Sequence, residues 1–237
     1  MDKLNLYLGD CLEVMKSIPN KCVNLILCDP PFGTTKNKWD SVIDLDLMWK
    51  EYNRIIKDNG AILLFAQTPF DKVLGVSNIK NLKYEWIWRK PQGTGHLNAK
   101  KMPLKNHENI LVFYASPPPY HPQFREGKPY TCKSGRGSSN YGEQVSVVTV
   151  NDGKRYPVDV LDFNKDKCKL HPTQKPVALL EYFIKTYTSE GDVVLDNCMG
   201  SGSTGVAALK NNRKFIGIEK DKNYFNIAKE RISNEIK

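Results

Sequence analysis

The sequence predicts an α/β fold in which a largely parallel β-sheet is covered by helices on both faces. Three observations support this. The chain contains recurring apolar runs of strand length, helical periodicity separates several of them, and one late run leads into a glycine-rich turn and a further helix. Strands that alternate with helices are expected to pair in parallel, because a parallel pair needs a long crossover connection.

The predicted strands are, in chain order, KLNLYL (3–8), CVNLILC (22–28), AILLFA (61–66), KYEWIWR (83–89), NILVFY (109–114), DVVLD (192–196) and KFIGIE (214–219). Most are near-continuous apolar runs, as expected of strands that are buried on both faces. A helix is predicted over residues 44–58, where apolar residues recur at helical spacing, and another over residues 176–189, with Pro176 near its start.

Residues 115–170 interrupt this alternation. They are rich in Pro, Gly, Ser and Tyr, and they contain short strand-like pieces but no clear helix. A connection of this length without structure would be unusual inside a compact domain, so the segment is either an insertion with its own function or a partly disordered loop. We therefore predict one domain built from residues 1–114 and 171–237, interrupted by an inserted region at 115–170.

Length and composition limit the class of protein. A chain of 237 residues suits one domain with a substantial core. Its formal net charge of +9 suggests a polyanionic partner such as nucleic acid, although a solubilising surface would give the same excess. The six cysteines form no C-x-x-C pair, which fits a reducing cytosol, and no metal site is expected. No secretory segment or apolar run of roughly 18 residues is present, so we expect a cytoplasmic protein that does not enter a membrane.

A glycine-rich turn follows the sixth predicted strand. Gly200, Gly202 and Gly205 satisfy the spacing G-x-G-x-x-G between a strand and a helix. Glu219 ends the next strand, where a ribose-binding acid is expected. Asp196 stands just ahead of the glycines, where a carboxylate would oppose a pyrophosphate but suit a cationic ligand such as the amino group of S-adenosylmethionine. The pattern therefore favours a methyl-donor site over a dinucleotide site or a plain tight turn.

The segment Asp29-Pro30-Pro31-Phe32 would face this donor if both strands end at the same edge of the sheet. An exocyclic base amine is a poor nucleophile because its lone pair is delocalised into the ring. Hydrogen bonds from its two N–H groups to the Asp29 carboxylate and the Pro30 carbonyl would favour a pyramidal nitrogen. The prolines fix that carbonyl and supply no competing N–H, and Phe32 would stack on a base that has left the duplex. A strand-ending turn is the simpler alternative, because Asp and Pro favour turns.

Three motifs in this order, DPPF, HPTQKP (171–176) and DNCMGSGSTG (196–205), resemble the amino-methyltransferases of DNA, in the permuted group whose DPP motif precedes the donor loop. The resemblance implies a Rossmann-like, S-adenosylmethionine-dependent methyltransferase fold with a seven-stranded, mostly parallel sheet that has one antiparallel strand. It implies circular permutation, with KLNLYL pairing beside KFIGIE and the helix at 223–232 bridging them. The implied reaction is the site-specific methylation of adenine N6 in a flipped-out base of DNA.

Two positions of the DPPF motif bear on the base-binding side of the site, and the first of them bears on the choice of target base. Within the family, an acid at the position of Asp29 is commoner in adenine enzymes, whereas cytosine enzymes often carry Ser, so adenine is favoured and cytosine N4 stays open. The family usually has Tyr where this chain has Phe32, a change that keeps stacking and loses any hydroxyl hydrogen bond. Two further functions also stay open, those of a structured-RNA methyltransferase and of a catalytically inactive DNA-binding protein.

The motifs and the resemblance together assign the site residues. The segment Asn106-His107-Glu108 matches a strand near the target-base pocket and receives no catalytic role. The residues expected to hold the base are Asp29, Pro30, Pro31 and Phe32. The residues expected to bind the donor are Asp10, Cys11, Lys175, Asp196, Gly200, Ser201, Gly202, Thr204 and Glu219.

A basic segment at residues 88–107, which contains no acidic residue, would fit DNA phosphates, with a solvated loop as the alternative. The region 115–170 corresponds in position to the target-recognition region of the family, which would read base edges. We expect double-stranded DNA as the partner and leave open a homodimer and a cognate restriction endonuclease. The residues expected to contact DNA are Arg89, Lys90, Lys100, Lys101, Lys105 and Arg136.

Overall fold

The computed structural model describes residues 2–33, 41–133, 146–166 and 174–235. Its strands are β1 (Leu4–Leu8), β2 (Val23–Cys28), β3 (Ile56–Ala66), β4 (Leu82–Thr94), β5 (Lys105–Phe113), β6 (Arg125–Glu126), β7 (Tyr130–Lys133), β8 (Val148–Asn151), β9 (Lys154–Arg155), β10 (Val160–Asp162), β11 (Val193–Asp196) and β12 (Lys214–Glu219). Its helices are α1 (Cys11–Met15), α2 (Leu45–Ile55), α3 (Phe70–Ser77), α4 (Val177–Tyr187), α5 (Ser203–Lys210) and α6 (Lys222–Ser233), with a 3₁₀ turn at His96–Asn98.

The main sheet is mixed and has the strand order β1-β12-β11-β2-β3-β5-β4-β10. Every neighbouring pair is parallel except the two made by β5, which runs antiparallel to β3 and to β4. The prediction of a mostly parallel sheet with one antiparallel strand is therefore confirmed. The short strand β10 pairs with β4 and adds an eighth strand to the seven that the sequence predicts.

The two ends of the chain meet in this sheet. Strand β1 pairs in parallel with β12, from Leu4 opposite Phe215 to Leu8 opposite Glu219. Helix α6 follows β12 and packs against both strands. The predicted pairing of the first and last strands, with a helix bridging them, is confirmed.

Both faces of the sheet are covered, and β2 shows how. Its alternating side chains point to opposite faces: Leu25 and Leu27 belong to one buried cluster, whereas Ile26 and Cys28 belong to the other. Helices α4, α5 and α6 contribute to the first cluster, and α1, α2 and α3 to the second. A strand with apolar neighbours on both faces reads as a continuous apolar run, which is why its pattern is visible in the sequence.

The largest departure from the predicted elements is the hairpin of β4 and β5, which extends beyond the apolar runs at 83–89 and 109–114. Strand β4 continues to Thr94, which is opposite Lys105, and the Thr94 hydroxyl donates a hydrogen bond to the Lys105 carbonyl at 3.1 Å. Residues 88–94 and 105–107 of the basic segment, which was expected to be a loop, therefore belong to strands β4 and β5, with an irregular register between Arg89 and Thr94. Cross-strand backbone bonds hold these polar residues extended, and such bonds leave no apolar pattern in the sequence.

The chain divides into two compact units. Met1–His121 and Asp159–Lys237 form the larger unit, which contains the main sheet. Pro122–Val158 forms the smaller unit, which has two antiparallel pairs, β6 with β9 and β7 with β8. The predicted insertion at 115–170 includes the smaller unit, and its role in DNA recognition stays a prediction. None of the helices in the described ranges has the length and apolarity needed to cross a bilayer.

Candidate active site

A cavity of about 720 Å³ lies where four neighbouring parallel strands of the larger unit end. Among the acids that line it, one lies at the end of each of these four strands: Asp10 after β1, Asp29 after β2, Asp196 in β11 and Glu219 in β12. Open α/β sheets bind ligands at the carboxyl ends of their strands. The structure thus brings the glycine-rich turn and the segment Asp29-Pro30-Pro31-Phe32 to one cavity.

The conformation and packing of the glycine-rich turn after β11 require residues without a Cβ atom at its three glycine positions. Gly200 and Gly202 have φ values of +52° and +79°, in the left-handed region that favours glycine. A Cβ atom on Gly205 would lie 2.5 Å from Ile232 Cδ1 and 2.7 Å from Phe215 Cε1. The third glycine therefore lets α5 pack closely against α6 and the sheet.

Glu219 fixes the conformation of this turn. Its Oε2 accepts a hydrogen bond from the Gly200 N–H at 2.8 Å, and its Oε1 accepts one from the Asp221 N–H at 2.8 Å. Burial raises the pKa of Glu219, and these N–H donors act against the rise. Each carboxylate oxygen has a second acceptor position. Glu219 can therefore hold the turn and still accept a hydrogen bond from a ligand hydroxyl.

Asp196 is almost fully buried, with 4% of its surface exposed. Its Oδ2 accepts a hydrogen bond from the Thr204 hydroxyl at 2.6 Å, and its Oδ1 accepts one from the Cys198 N–H at 3.1 Å. Burial raises the pKa of Asp196 to about 7, although these two donors act against it. A cation beside a buried carboxylate favours the ionised form, so this position suits a ligand with an ammonium group.

Asp10 and Cys11 lie at the start of α1. The Oδ1 atom of Asp10 accepts a hydrogen bond from the Leu12 N–H at 3.0 Å, and its Oδ2 accepts one from Lys220 Nζ at 3.2 Å. Burial acts to raise the pKa of Asp10, but Lys220 and the Leu12 N–H outweigh it and the pKa is lowered. A hydrogen bond with Cys198, together with burial, raises the pKa of the Cys11 thiol, which is therefore neutral and poorly reactive.

Asp29 belongs to a chain of alternating charges in the same cavity. Its Oδ2 accepts a hydrogen bond from Lys175 Nζ, and that ammonium group also lies 3.3 Å from Glu108 Oε2. Glu108 Oε1 in turn accepts a hydrogen bond from Lys90 Nζ. Lys175 and Glu108 are only 7% and 9% exposed. Lys175, expected to contact the donor, thus places its ammonium group against the acid expected to hold the base.

The charge of Asp29 depends on these neighbours. Burial raises its pKa to about 6, the Lys175 ammonium group acts to lower it, and Glu108 acts to raise it. Burial acts to lower the pKa of Lys175, but the two carboxylates outweigh it, so Lys175 is a cation. The Oδ1 atom of Asp29 is buried and has no hydrogen-bond partner among the described residues. A buried acceptor of this kind can receive a donor from a ligand.

Pro30, Pro31 and Phe32 also line the cavity. Phe32 is partly buried and packs on Phe70, with ring centroids 5.4 Å apart and ring planes tilted by 31°. Neither proline has an N–H that could compete for an acceptor. Stacking of Phe32 on a base and the acceptor role of the Pro30 carbonyl stay predictions.

Two of the residues expected to contact DNA form ion pairs within the larger unit. Both distances of the bidentate pair between Arg89 and Asp162 are 2.6 Å. Lys90 pairs with Glu108 and lines the cavity. The basic segment contains no acid, yet acids from β5 and β10 lie beside it in the fold.

The remaining expected DNA contacts lie farther along the β4–β5 hairpin. Lys100 and Lys101 are exposed between the two strands, and Lys105 is partly buried at the start of β5. Burial lowers the pKa of Lys105. Arg136 lies outside the described residues.

The sequence did not identify the ion pairs around Asp29. Glu108 received no catalytic role, and Lys90 was expected to contact phosphate. A signal was nevertheless present, because both are charged residues beside aromatic or apolar strand segments. A charge that a strand buries needs a partner of opposite sign.

Comparison with known proteins gives a family match over most of the chain. The model of a DNA methylase family of N6 and N4 methyltransferases matches residues 23–230. The DNA adenine methyltransferase YhdJ of Escherichia coli (strain K12) is 28% identical over 250 residues, which cover 94% of this chain and 81% of that protein. The type II methyltransferase M.HinfI of Haemophilus influenzae is 29% identical over 276 residues, which cover 100% of this chain and 70% of that protein.

Solved structures show the same fold. The crystal structure of the M1.HpyAVI–SAM complex has a TM-score of 0.67 and 26% identity, covering 97% of this chain and 98% of that one. The cytosine-N4-specific PvuII DNA methyltransferase has a TM-score of 0.72 at 18% identity, covering 99% of this chain and 92% of that one. The Rossmann-like methyltransferase fold expected from the motifs is confirmed.

Proposed function

The chain belongs to the family of N6 and N4 DNA methylases, and on that premise we propose that it methylates the N6 amine of adenine in double-stranded DNA. As a DNA methyltransferase it uses S-adenosylmethionine, whose sulfonium charge activates the methyl group toward a nucleophile. The observation that carries an amine as the target is the Oδ1 atom of Asp29, a buried acceptor that an N–H donor would satisfy.

The donor would be held by the acids at the strand ends. Asp196 would bind its ammonium group, because a buried carboxylate whose pKa is raised gains most from a cationic partner. Glu219 would bind a ribose hydroxyl, for which its oxygens keep free acceptor positions. The other proposed donor contacts are Asp10, Cys11, Lys175, Gly200, Ser201, Gly202 and Thr204.

The base would be held on Asp29. Its Oδ1 would accept one amine N–H and the Pro30 carbonyl the other, which directs the nitrogen lone pair away from the base plane. Phe32 would stack on the base, and the energy of stacking would offset part of the cost of extruding it from the duplex. Positioning is then the main source of rate, and no covalent enzyme intermediate is needed.

Adenine is favoured over cytosine on two grounds. A carboxylate stands at position 29, where the resemblance associates an acid with adenine and Ser with cytosine. A relative that matches 94% of this chain is named as an adenine methyltransferase. Cytosine N4 is the second candidate, because an enzyme named as specific for that amine shares the fold.

DNA would lie along the exposed lysines of the β4–β5 hairpin. Lys100 and Lys101 would contact phosphates, which position the duplex without reading its sequence. The region 115–170, which includes the expected contact Arg136, would read the base edges. Within the smaller unit, the guanidinium group of Arg155 in β9 lies 4.6 Å from the ring centre of Tyr130 in the exposed strand β7. This contact holds a positive charge beside that strand.

The test is to incubate the protein with unmethylated bacterial genomic DNA and S-adenosylmethionine. The product is digested to nucleosides for mass spectrometry, and a parallel sample is sequenced by a method that detects modified bases directly. We expect N6-methyladenine within one short motif. N4-methylcytosine would instead establish the second candidate.

Two further outcomes would overturn the proposal. Labelling of structured RNA with no labelling of duplex DNA would make the protein an RNA methyltransferase. Binding of DNA without methylation of any substrate, together with a failure to bind S-adenosylmethionine in calorimetry, would make it an inactive DNA-binding protein. A homodimer and a cognate restriction endonuclease stay open in either case.

A further inference from the structure

We propose that Lys175, held by Glu108 and Lys90, is a positioning residue that occupies one oxygen of Asp29 and so reserves the other oxygen for the target amine. This inference rests on the proposed function and adds three residues to its base-binding side. Lys175 acts through Asp29, and Glu108 and Lys90 act through Lys175. The charges alternate along the chain Lys90–Glu108–Lys175–Asp29, which carries no net charge.

The position of Lys175 is strongly constrained. It stands immediately before Pro176, the residue that caps α4, so its backbone is fixed at the start of that helix. An ammonium group has three donors. One is directed to Asp29, while Glu108 Oε2 lies 3.3 Å from the nitrogen as an ion pair without a hydrogen bond, and the aromatic face of Phe65 lies 5.0 Å from it. At 7% exposure, Lys175 has little access to water as an alternative partner.

Lys90 and Glu108 complete the arrangement from the neighbouring strands β4 and β5. The Lys90 ammonium group lies 5.1 Å from the ring centre of Trp88 and bonds to Glu108. Glu108 therefore contacts two cations through its two oxygens. If Lys90 were absent, the single positive charge of Lys175 would face the two negative charges of Glu108 and Asp29.

This geometry gives the two oxygens of Asp29 different tasks. Oδ2 is taken by Lys175, whereas Oδ1 is buried and has no partner in the described part of the chain. If both oxygens were unbonded, the carboxylate could rotate and either oxygen could accept the amine N–H. With Oδ2 held, the plane of the carboxylate is fixed, and Oδ1 is the acceptor left for an amine N–H.

The same chain controls whether Asp29 is ionised. The titratable groups that face Asp29 are Lys175, Glu108, Lys90, Asp196 and Cys28. Lys175 acts to lower the pKa of Asp29, and Glu108 acts to raise it. Removing the charge of Lys175 should therefore leave Asp29 protonated at neutral pH, and a protonated oxygen would lose acceptor capacity. Removing the charge of Glu108 should have the opposite effect on ionisation.

The experiment compares Lys175→Met and Glu108→Gln with the unsubstituted protein by two measurements. In the protein without DNA or donor, carbon-13 NMR of labelled aspartate carboxyl groups follows the titration of Asp29, whose signal is identified by its loss in Asp29→Asn. In the complete reaction, the single-turnover rate of methyl transfer is measured between pH 5 and pH 9. Lys185→Met in α4 is the matched control, since Lys185 pairs with Glu181 at 3.5 Å on the surface.

We expect Lys175→Met to move the titration midpoint of Asp29 upward by about one to three pH units, and Glu108→Gln to move it downward. The acidic limb of the rate profile should move in the same directions, and Lys185→Met should leave both unchanged. Lys175→Arg, which restores the charge, should return the midpoint toward its original value.

Unmoved midpoints in both charge variants, with uniformly lower rates, would overturn the inference and leave Lys175 a structural residue. If Lys175→Met fails to fold, Glu108→Gln still tests the inference, because it has its own expected result, a downward shift of the Asp29 titration midpoint. The NMR titration needs neither substrate nor donor. It therefore separates failure of this inference from failure of the proposed function, which would appear as an unsubstituted protein that methylates nothing.

Discussion

The donor side and the base side of the cavity each depend on a buried or partly buried aspartate, but the two are held in different ways. Asp196 is bound by a backbone N–H and a hydroxyl within eight residues of it in the chain. Asp29 is bound by the ammonium group of Lys175, 146 residues away. Local contacts hold Asp196, whereas a distant charge holds Asp29, so the two acids should respond differently to substitution.

The largest expected effect is on the base side. Asp29→Ala removes the acceptor for the amine, so methyl transfer should fall by about 10² to 10³-fold, the range for loss of one hydrogen-bonding group that stabilises a transition state. Donor affinity should change little, because Asp196 and Glu219, the two acids proposed to bind the donor, are held by hydrogen bonds that do not involve Asp29. Single-turnover transfer of a labelled methyl group and calorimetry with S-adenosylmethionine measure the two quantities.

Asp58→Ala is the control for this substitution, since Asp58 is a surface acid paired with Lys21 at 2.8 Å. It should leave both the rate and the affinity unchanged. Substantial methyl transfer by Asp29→Ala would show that the carboxylate is not the amine acceptor. A large loss of donor affinity would show that the two sides of the cavity are not separate.

The next effect is on the donor side and depends on pH. Burial raises the pKa of Asp196 to about 7, so below pH 7 the empty protein holds a proton there that a cationic ligand must displace. The affinity for S-adenosylmethionine should therefore fall as the pH falls from about 7 to 5.5. Asp196→Asn should weaken binding at pH 7.5 by about 10 to 100-fold, as expected for a lost charged hydrogen bond, and should flatten this pH dependence.

Calorimetric titration at several pH values measures this dependence. Asp192→Asn is the control, because Asp192 precedes the same strand and accepts a bond from the Ser189 N–H at 2.8 Å without lining the cavity. A pH dependence that persists in Asp196→Asn would assign the titration to another acid of the cavity. Asp29 is the first candidate, because it follows the neighbouring strand β2 and its charge acts on the pKa of Asp196.

The same contrast explains which parts of the molecule the sequence predicts. The glycine turn, Asp196 and Glu219 are linked by short segments and by strand ends, so motif spacing is enough to bring them together. The pairing of Leu4–Leu8 with Lys214–Glu219 follows from the order of the motifs in the family.

The ion pairs of the base side could not be predicted in the same way. Lys90, Glu108 and Lys175 come from three separate segments, and their distances depend on how β4, β5 and α4 pack. Each residue also has a simpler reading by itself: a basic loop residue, a strand-end acid and a motif lysine near the donor. The extension of β4 to Thr94 has the same origin, because pairing with β5 overrides a local sequence that favours a loop.

The smallest expected effect separates lysines that act in the cavity from lysines that contact DNA. Lys100 and Lys101 are exposed, whereas Lys90 is partly buried against Glu108. Replacing Lys100 and Lys101 with Ala should lower the slope of log affinity against log salt by about two, because each phosphate contact contributes about 0.9.

The double variant Lys16→Ala, Lys21→Ala removes the same number of charges at another surface and should leave the slope unchanged. Equal slopes for all three proteins, measured by fluorescence anisotropy with duplex DNA, would remove the hairpin from the DNA interface. A lower slope with an unchanged single-turnover rate at saturating DNA would confine these lysines to binding and leave the chemistry to the cavity.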